Sequence, residues 1–297
     1  MKIANKLYFI LIILFSCGKD NQFDIQGHRG VRGLMPENSI QGFIKSIDIG
    51  VNTIELDVVI SGDLKVVVSH EPWISSIICL DSLGLKISND FNKLNIYKIN
   101  YDQIKKYDCG SLINPNFLLQ EKIFTKKPLL KEVIYEVEKY VKKNNLSKLN
   151  YNIEIKSHKE GDDIFHPQVE KFSDLVYSET IKLLPIERFN IQSFDFRVLK
   201  YFNKKYPEIK LSVLVDNNYN PKKNLNDLGF IPYIFSPNFR KLNILDIQYM
   251  KSKKIKIIPW TVNSYNDIEE VLKLNVDGII SDYPQRVINI IEENEKI

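Results

Sequence analysis

The sequence predicts an α/β protein: a (β/α)8 barrel with a segment inserted after the hairpin of its second strand. Three observations lead there. Eight apolar, strand-like runs can be counted along the 297 residues, most of them separated by stretches of helical spacing. Strands alternating with helices over this length are the pattern of a parallel sheet closed into a barrel. The chemically distinctive residues His28, Asp57, Glu154, Ser193, Ser236 and Trp260 fall at or near the C-terminal ends of those runs. That rim is where such barrels build their sites.

Composition agrees with one globular domain: 44% hydrophobic, 26% charged, net charge +4. The lysines are scattered, and no basic stripe is interleaved with aromatics, so nucleic acid is not expected as a partner. Residues 1–17 form a separate unit. Lys2 and Lys6 precede a short apolar run too short to span a bilayer, and Ser16-Cys17 follows it. The pattern resembles a bacterial lipobox, with cleavage before Cys17, lipidation of Cys17 and a tether at 18–23. An ordinary signal peptide or an uncleaved anchor is the alternative. The barrel domain then runs from 24 to 297. Cys79 and Cys109 remain, and the sequence leaves open whether they pair or stay as buried thiols.

In chain order, a short strand at 25–27 delivers His28. A helix follows Pro36-Glu37-Asn38-Ser39, with Ile40, Phe43, Ile44 and Ile47 at helical spacing and Asn38 as the expected N-cap. The second strand, 52–60, carries Glu55 and Asp57 at i and i+2, so they project to one face and Leu56 to the other. Two carboxylates ~4 Å apart repel by about 4 kcal/mol at an effective dielectric near 20. They call for a cation or a proton between them, and all-oxygen ligands favour Ca2+, Mg2+ or Mn2+ over zinc. Ser61-Gly62-Asp63 is too short for a parallel crossover, so 64–69 folds back as a hairpin and carries His70 toward the carboxylates.

Residues 72–127 show no strand–helix alternation and are read as an insertion over the barrel mouth. A helix at 129–141 leads to a strand at 150–156 that presents Glu154 and Lys156 on one face. His158 and His166, in the polar stretch beyond, read as solvated surface residues. Further strands are expected near 189–193, 210–215, 233–236, 255–260 and 278–281, with helices between and after them.

The order His28-Arg29-Gly30, Glu37-Asn38-Ser39, Glu55-Leu56-Asp57-Val58 and His70-Glu71 within residues 26–71 resembles the glycerophosphodiester phosphodiesterase family. The resemblance continues through Glu154-Ile155-Lys156, Gln192-Ser193-Phe194, Trp260-Thr261-Val262-Asn263 and Asp277 to Pro284, and covers about 24–292. It implies hydrolysis of a glycerophosphodiester to sn-glycerol 3-phosphate and an alcohol. His28 and His70 would be the general acid and base, unassigned between them. Glu55, Asp57 and Glu154 would hold one divalent cation, Ca2+ or Mg2+. Arg29, Lys156 and Trp260 would bind substrate, with Glu37 and Asn38 in support. Two departures stand out. Glu71 replaces the usual aspartate, and Glu71-Pro72-Trp73-Ile74-Ser75-Ser76 lacks the arginine that the family often has there. The other readings are a phospholipase C- or D-like enzyme on intact lipid, which an apolar rim at Trp73, Ile74, Ile77, Ile78 and Leu80 would favour, and a non-catalytic surface binding protein. The expected location is the cell envelope, through the lipid anchor; oligomeric state is left open.

Overall fold

The computed structural model describes residues 23–88 and 94–294. Cys17, the leader and nearly all of the tether lie outside them. The strands are β1 (Asp24–Gly27), β2 (Thr53–Ile60), β3 (Val66–Val68), β4 (Asn150–Ile155), β5 (Phe189–Ser193), β6 (Lys210–Val215), β7 (Ile234–Pro237), β8 (Lys256–Ile257) and β9 (Gly278–Ser281). The helices are α1 (Ile40–Ile49), α2 (Tyr101–Ile104), α3 (Leu130–Lys143), α4 (Val169–Thr180), α5 (Phe196–Lys205), α6 (Pro221–Leu228), α7 (Ile244–Ser252), α8 (Tyr265–Lys273) and α9 (Pro284–Asn294).

Eight strands are parallel, in the order β8-β7-β6-β5-β4-β2-β1-β9. The ring closes by hydrogen bonds from the Asp277 N–H to the Ile257 carbonyl (2.9 Å), Ile280 to Pro259 (3.0 Å) and Val262 to Ile280 (3.0 Å). The expected fold class is therefore the observed one. β8 is shorter than the expected 255–260, because Pro259 has no N–H to give a ladder. β3 is antiparallel to β2, with Val59 opposite Val67, as so short a connection (residues 61–65) required.

Strand alternation sorts the side chains into two compartments. Ile54, Leu56, Val58 and Ile60 of β2 face outward and join Phe43, Val133, Phe172, Phe202 and other helix residues in the main core. Inward, Asn152 donates to Gln26 (2.8 Å) and Gln192 (2.9 Å), and Gln192 donates to Glu55 (2.8 Å). These buried amides satisfy one another, as burial demands. On the far side of the barrel Ile234, Ile258 and Ile280 form a small apolar cluster with Tyr233 and Trp260.

The 72–127 segment has its own small core. Ile74, Cys79, Ile96, Tyr101, Ile104 and Cys109 pack on Val59 and Val67. Cys79 and Cys109 form a disulfide, which resolves the alternative the sequence left open. The segment is pinned to the loop after β1 by the Gln120 amide donating to the Arg32 carbonyl (2.6 Å) and the Glu121 N–H donating to that of Leu34 (2.8 Å). It reaches the loop after β4 through Asn95, whose amide donates to the Ile164 carbonyl (2.8 Å). The expected apolar rim is only partly present: Ile77 is exposed, but Ile74 is buried. Leu83, Leu85, Ile113, Leu118, Leu119 and Phe124 are exposed instead. No described helix is long and apolar enough to cross a membrane.

Candidate active site

The turn after β1 begins the site. Gly30 has φ +88°, and a Cβ there would meet the Gly42 backbone at 2.8 Å, so the turn must be glycine. Arg29 is itself left-handed (φ +51°). That conformation aims its backbone N–H at Glu55 Oε2 (2.8 Å), while its guanidinium donates to Glu37 (3.1 Å) and lies 3.2 Å from Asp57. Asn38 is not the N-cap of α1. Ser39 takes that place, its Oγ accepting the Gly42 N–H at 3.0 Å. Asn38, also left-handed, instead donates to Asp57 Oδ2 (2.8 Å) and accepts the Asp57 N–H (3.2 Å). Tertiary pairing to a buried carboxylate has outweighed the capping preference.

Asp57 and Glu154 stand opposite each other in the β2–β4 register, with Glu55 two residues back on the same face. The three carboxylates offer oxygens that all lie within 4.8 Å of one another, and all three are buried. Burial raises the Glu55 carboxyl well above its ordinary range, and the charges of Asp57 and Glu154 add to the rise. Burial raises Glu154 too, and Asp57 adds, against the pull of Lys156 Nζ at 2.7 Å. Burial also acts on Asp57, but Arg29, His70, Lys156 and the Asn38 bond outweigh it and hold that carboxyl low. A divalent cation fits this set. Asp57 Oδ1 is buried and accepts no hydrogen bond, which leaves it a lone pair to give. Charge agrees. Six carboxyl groups, of Glu37, Glu55, Asp57, Glu71, Glu154 and Asp282, face four basic side chains, of Arg29, Arg32, Lys127 and Lys156.

Both histidines line the same cleft, of about 180 Å3, together with Arg29, Arg32, Glu55, Glu154, Lys156, Gln192, Phe194, Leu214, Trp260 and Thr261. His28 Nδ1 is 2.7 Å from Asp282 Oδ1. Asp282 is fixed in turn by Arg32 (2.8 Å) and by the Asn263 amide (2.7 Å). Burial, with Arg32 and Arg29 nearby, lowers the His28 imidazole to about 4 despite Asp282. It is neutral at neutral pH. His70 Nδ1 is 2.7 Å from Glu71 Oε1. Trp260 meets Phe194 edge-to-face, centroids 5.4 Å apart, and its indole N–H donates to the Ser236 carbonyl (2.9 Å). A larger hollow of about 280 Å3, outside the barrel between Leu64, Lys131 and Leu175, gathers no such ligating set.

His28, Arg29, Glu37, Asn38, Glu55, Asp57, His70, Glu154, Lys156 and Trp260 are thus brought together or joined by hydrogen bonds. His158 and His166 do not line the cleft. His158 is exposed as expected, but His166 is only 1% exposed. Its Nε2 accepts the His158 N–H (3.1 Å) and its Nδ1 lies 2.9 Å from the Pro167 carbonyl, so it is a satisfied buried residue, not a solvated one. Sequence reasoning missed Asp282, Arg32 and Gln192 as members of the site. The signal for Asp282 was its place at the end of the last strand, beside the first once the ring closes.

The sequence model described as "Glycerophosphoryl diester phosphodiesterase family" matches residues 28–286. The chain is 29% identical over 275 residues to a glycerophosphodiester phosphodiesterase of Bacillus altitudinis, covering 91% of this chain and 98% of that one. It is 27% identical over 272 residues to one of Caldanaerobacter subterraneus subsp. tengcongensis, covering 90% and 96%. Among solved structures it resembles an Oleispira antarctica phosphodiesterase in complex with the product sn-glycerol-3-phosphate. The TM-score is 0.72 at 20% identity, covering 91% of this chain and 96% of that one.

Proposed function

The chain is a phosphodiesterase of the glycerophosphoryl diester phosphodiesterase family, and from that premise we propose that it hydrolyses glycerophosphodiesters to sn-glycerol 3-phosphate and an alcohol, using one divalent cation and two histidines. One observation carries the reading: three buried carboxylates offer oxygens within 4.8 Å of one another, and two of them, Glu55 and Glu154, line the cleft that His28 and His70 both line. Glu55, Asp57 and Glu154 would hold Ca2+ or Mg2+. When bound, the cation polarises a phosphoryl oxygen and offsets the carboxylate charge that would repel the diester. Lys156, the less buried of the two clamp residues, meets the phosphate as a point charge, with Arg29 beside it. His28, neutral and held by Asp282, takes the proton of the attacking hydroxyl: either water attacks and gives sn-glycerol 3-phosphate directly, or a glycerol hydroxyl attacks and gives a cyclic phosphodiester that water then opens. His70, held by Glu71, gives one to the leaving oxygen. Each role contributes roughly 10²–10⁴-fold. Trp260 and Phe194 form an apolar wall against the carbon skeleton.

The leader at 1–17 and the Cys79–Cys109 disulfide both fit an oxidising, extracytoplasmic location with Cys17 as the lipid anchor. A second reading, action on intact lipid, has one observation in its favour: Leu118, Leu119 and Phe124, 77%, 69% and 66% exposed, project from the segment pinned beside the mouth.

The test is release of glycerol 3-phosphate from glycerophosphocholine, glycerophosphoethanolamine and glycerophosphoglycerol by the chain from Gly18 onward. EDTA should abolish release, and one of Ca2+ or Mg2+ should restore it. Cleavage of lysophospholipid with none of the soluble diesters would favour the second reading. No cleavage of any diester with either ion would overturn both.

A further inference from the structure

Lys127 is buried, 6% exposed, lines no part of the cleft, and has no place in the reaction described above. It ends the 72–127 segment, on a limb that runs along the free edge of β3. The Val68 N–H donates to the Pro128 carbonyl (2.8 Å), and Val67 pairs with Leu129. From this limb Lys127 Nζ donates to Ser69 Oγ at 2.8 Å. Ser69 is fully buried; its Oγ donates to the Glu71 carbonyl (2.7 Å) and its N–H to the Asp57 carbonyl (3.0 Å). The turn Ser69–Glu71, which carries His70, is therefore held from two sides. One side is the strand of a carboxylate ligand; the other is Lys127. Glu37, Glu71 and Asp57 face the ammonium, and Arg29 opposes it. A neutral donor would satisfy Ser69 equally well, but only a cation answers those three carboxylates.

We propose that Lys127 is a positioning residue for His70: its ammonium fixes the Ser69 hydroxyl, and through it the turn that aims the His70 imidazole and its Glu71 partner into the cleft. This makes the inserted segment part of the catalytic machinery through its exit limb. The proposal rests on His70 acting as an acid or base. A buried hydrogen bond of this kind is felt as placement, and small misplacement of a reacting group has large kinetic cost.

The test is a double-mutant cycle on glycerophosphocholine hydrolysis at saturating cation, using Lys127→Met, Ser69→Ala and His70→Ala, with thermal unfolding as the folding control. Lys127→Met should lower kcat roughly 10-fold or more while KM and the half-saturating cation concentration stay within about 2-fold, the signature of a loss confined to the transition state. Ser69→Ala, which removes one hydroxyl, should do the same and carries the test if Lys127→Met fails to fold. Added to His70→Ala, neither should cost anything further. Parent-like kcat in Lys127→Met, or a loss that multiplies with His70→Ala, overturns the proposal and leaves the reaction scheme standing. Full activity in His70→Ala overturns the scheme's acid–base pair and this proposal with it.

Discussion

The two sides of the barrel interior are unlike. On one, β1, β2, β4 and β5 contribute Gln26, Glu55, Asp57, Asn152, Glu154 and Gln192, all buried; the amides and Glu55 hydrogen-bond among themselves, while Asp57 pairs with Asn38 and Arg29 and Glu154 with Lys156. On the other, Ile234, Ile258 and Ile280 pack beneath Tyr233 and Trp260. A barrel filled by apolar layers all round could not hold three carboxyl groups together, because each unpaired buried polar or charged group is costly. A barrel polar all round would have no wall for carbon. The division supplies both, and it matches a substrate with a charged phosphate at one end and an alcohol at the other. It also divides labour. On the proposed reading, the polar side would hold the phosphate and carry the chemistry, and the apolar side would bind the alcohol.

That division can be broken at several points. The largest effect is expected from Asp57→Asn or Glu154→Gln. Removing one ligand should lower kcat/KM by about 10³-fold, roughly 4 kcal/mol. The circular dichroism spectrum should match the parent, since the outward core is untouched; a large loss of helix would count against a purely functional role. Next comes the His28 arm. His28→Ala should cost ~10²–10⁴-fold in kcat. Asp282→Asn should cost less, about 10²-fold, and should also lower the His28 titration by NMR further, because an anion that favours imidazolium is gone.

The polar side should also show in the pH dependence of cation binding. Glu55 and Glu154 are raised in the folded chain, so without a cation the folded state holds protons that the unfolded state has released. The contribution of Glu55 and Glu154 to the stability of the cation-free protein should therefore fall as pH rises through the carboxylate range, while Asp57, held low, contributes in the opposite sense. A cation competes with those protons, so its affinity should rise over the same range. Calorimetric titration at pH 5 and pH 7 checks the sign; tighter binding at pH 5 would refute it. The smallest effect belongs to the apolar side. Trp260→Ala should raise KM roughly 10-fold and change kcat little, the mark of binding shared by ground and transition states. A kcat loss as large as that of His28→Ala would erase the distinction between the two sides.

Much of this was legible before the fold was known. Period-two alternation put Glu55 and Asp57 on one face and Leu56 on the other, and the short Ser61-Gly62-Asp63 turn obliged the next strand to run back with His70. Both follow from local geometry, which sequence states directly. Where two local forces compete, the sequence misleads. Asn38 has the chemistry of an N-cap, yet Ser39 caps and Asn38 binds Asp57, because a buried carboxylate costs more to leave unpaired than a helix end does.

The sequence by itself determined the barrel, the carboxylate pair, both histidines and the place of the insertion, because strand period, turn length and residue type act over a few neighbours. The tertiary structure alone decided who holds what. Asp282 meets His28 across 254 residues because the last strand closes on the first. Glu154 stands opposite Asp57 by virtue of register. Cys79 bonds Cys109, and Lys127 reaches Ser69, through the packing of a segment without periodicity. Such contacts are set by ring closure and by the need to pair every buried charge, and these conditions exist only once the whole chain is in place.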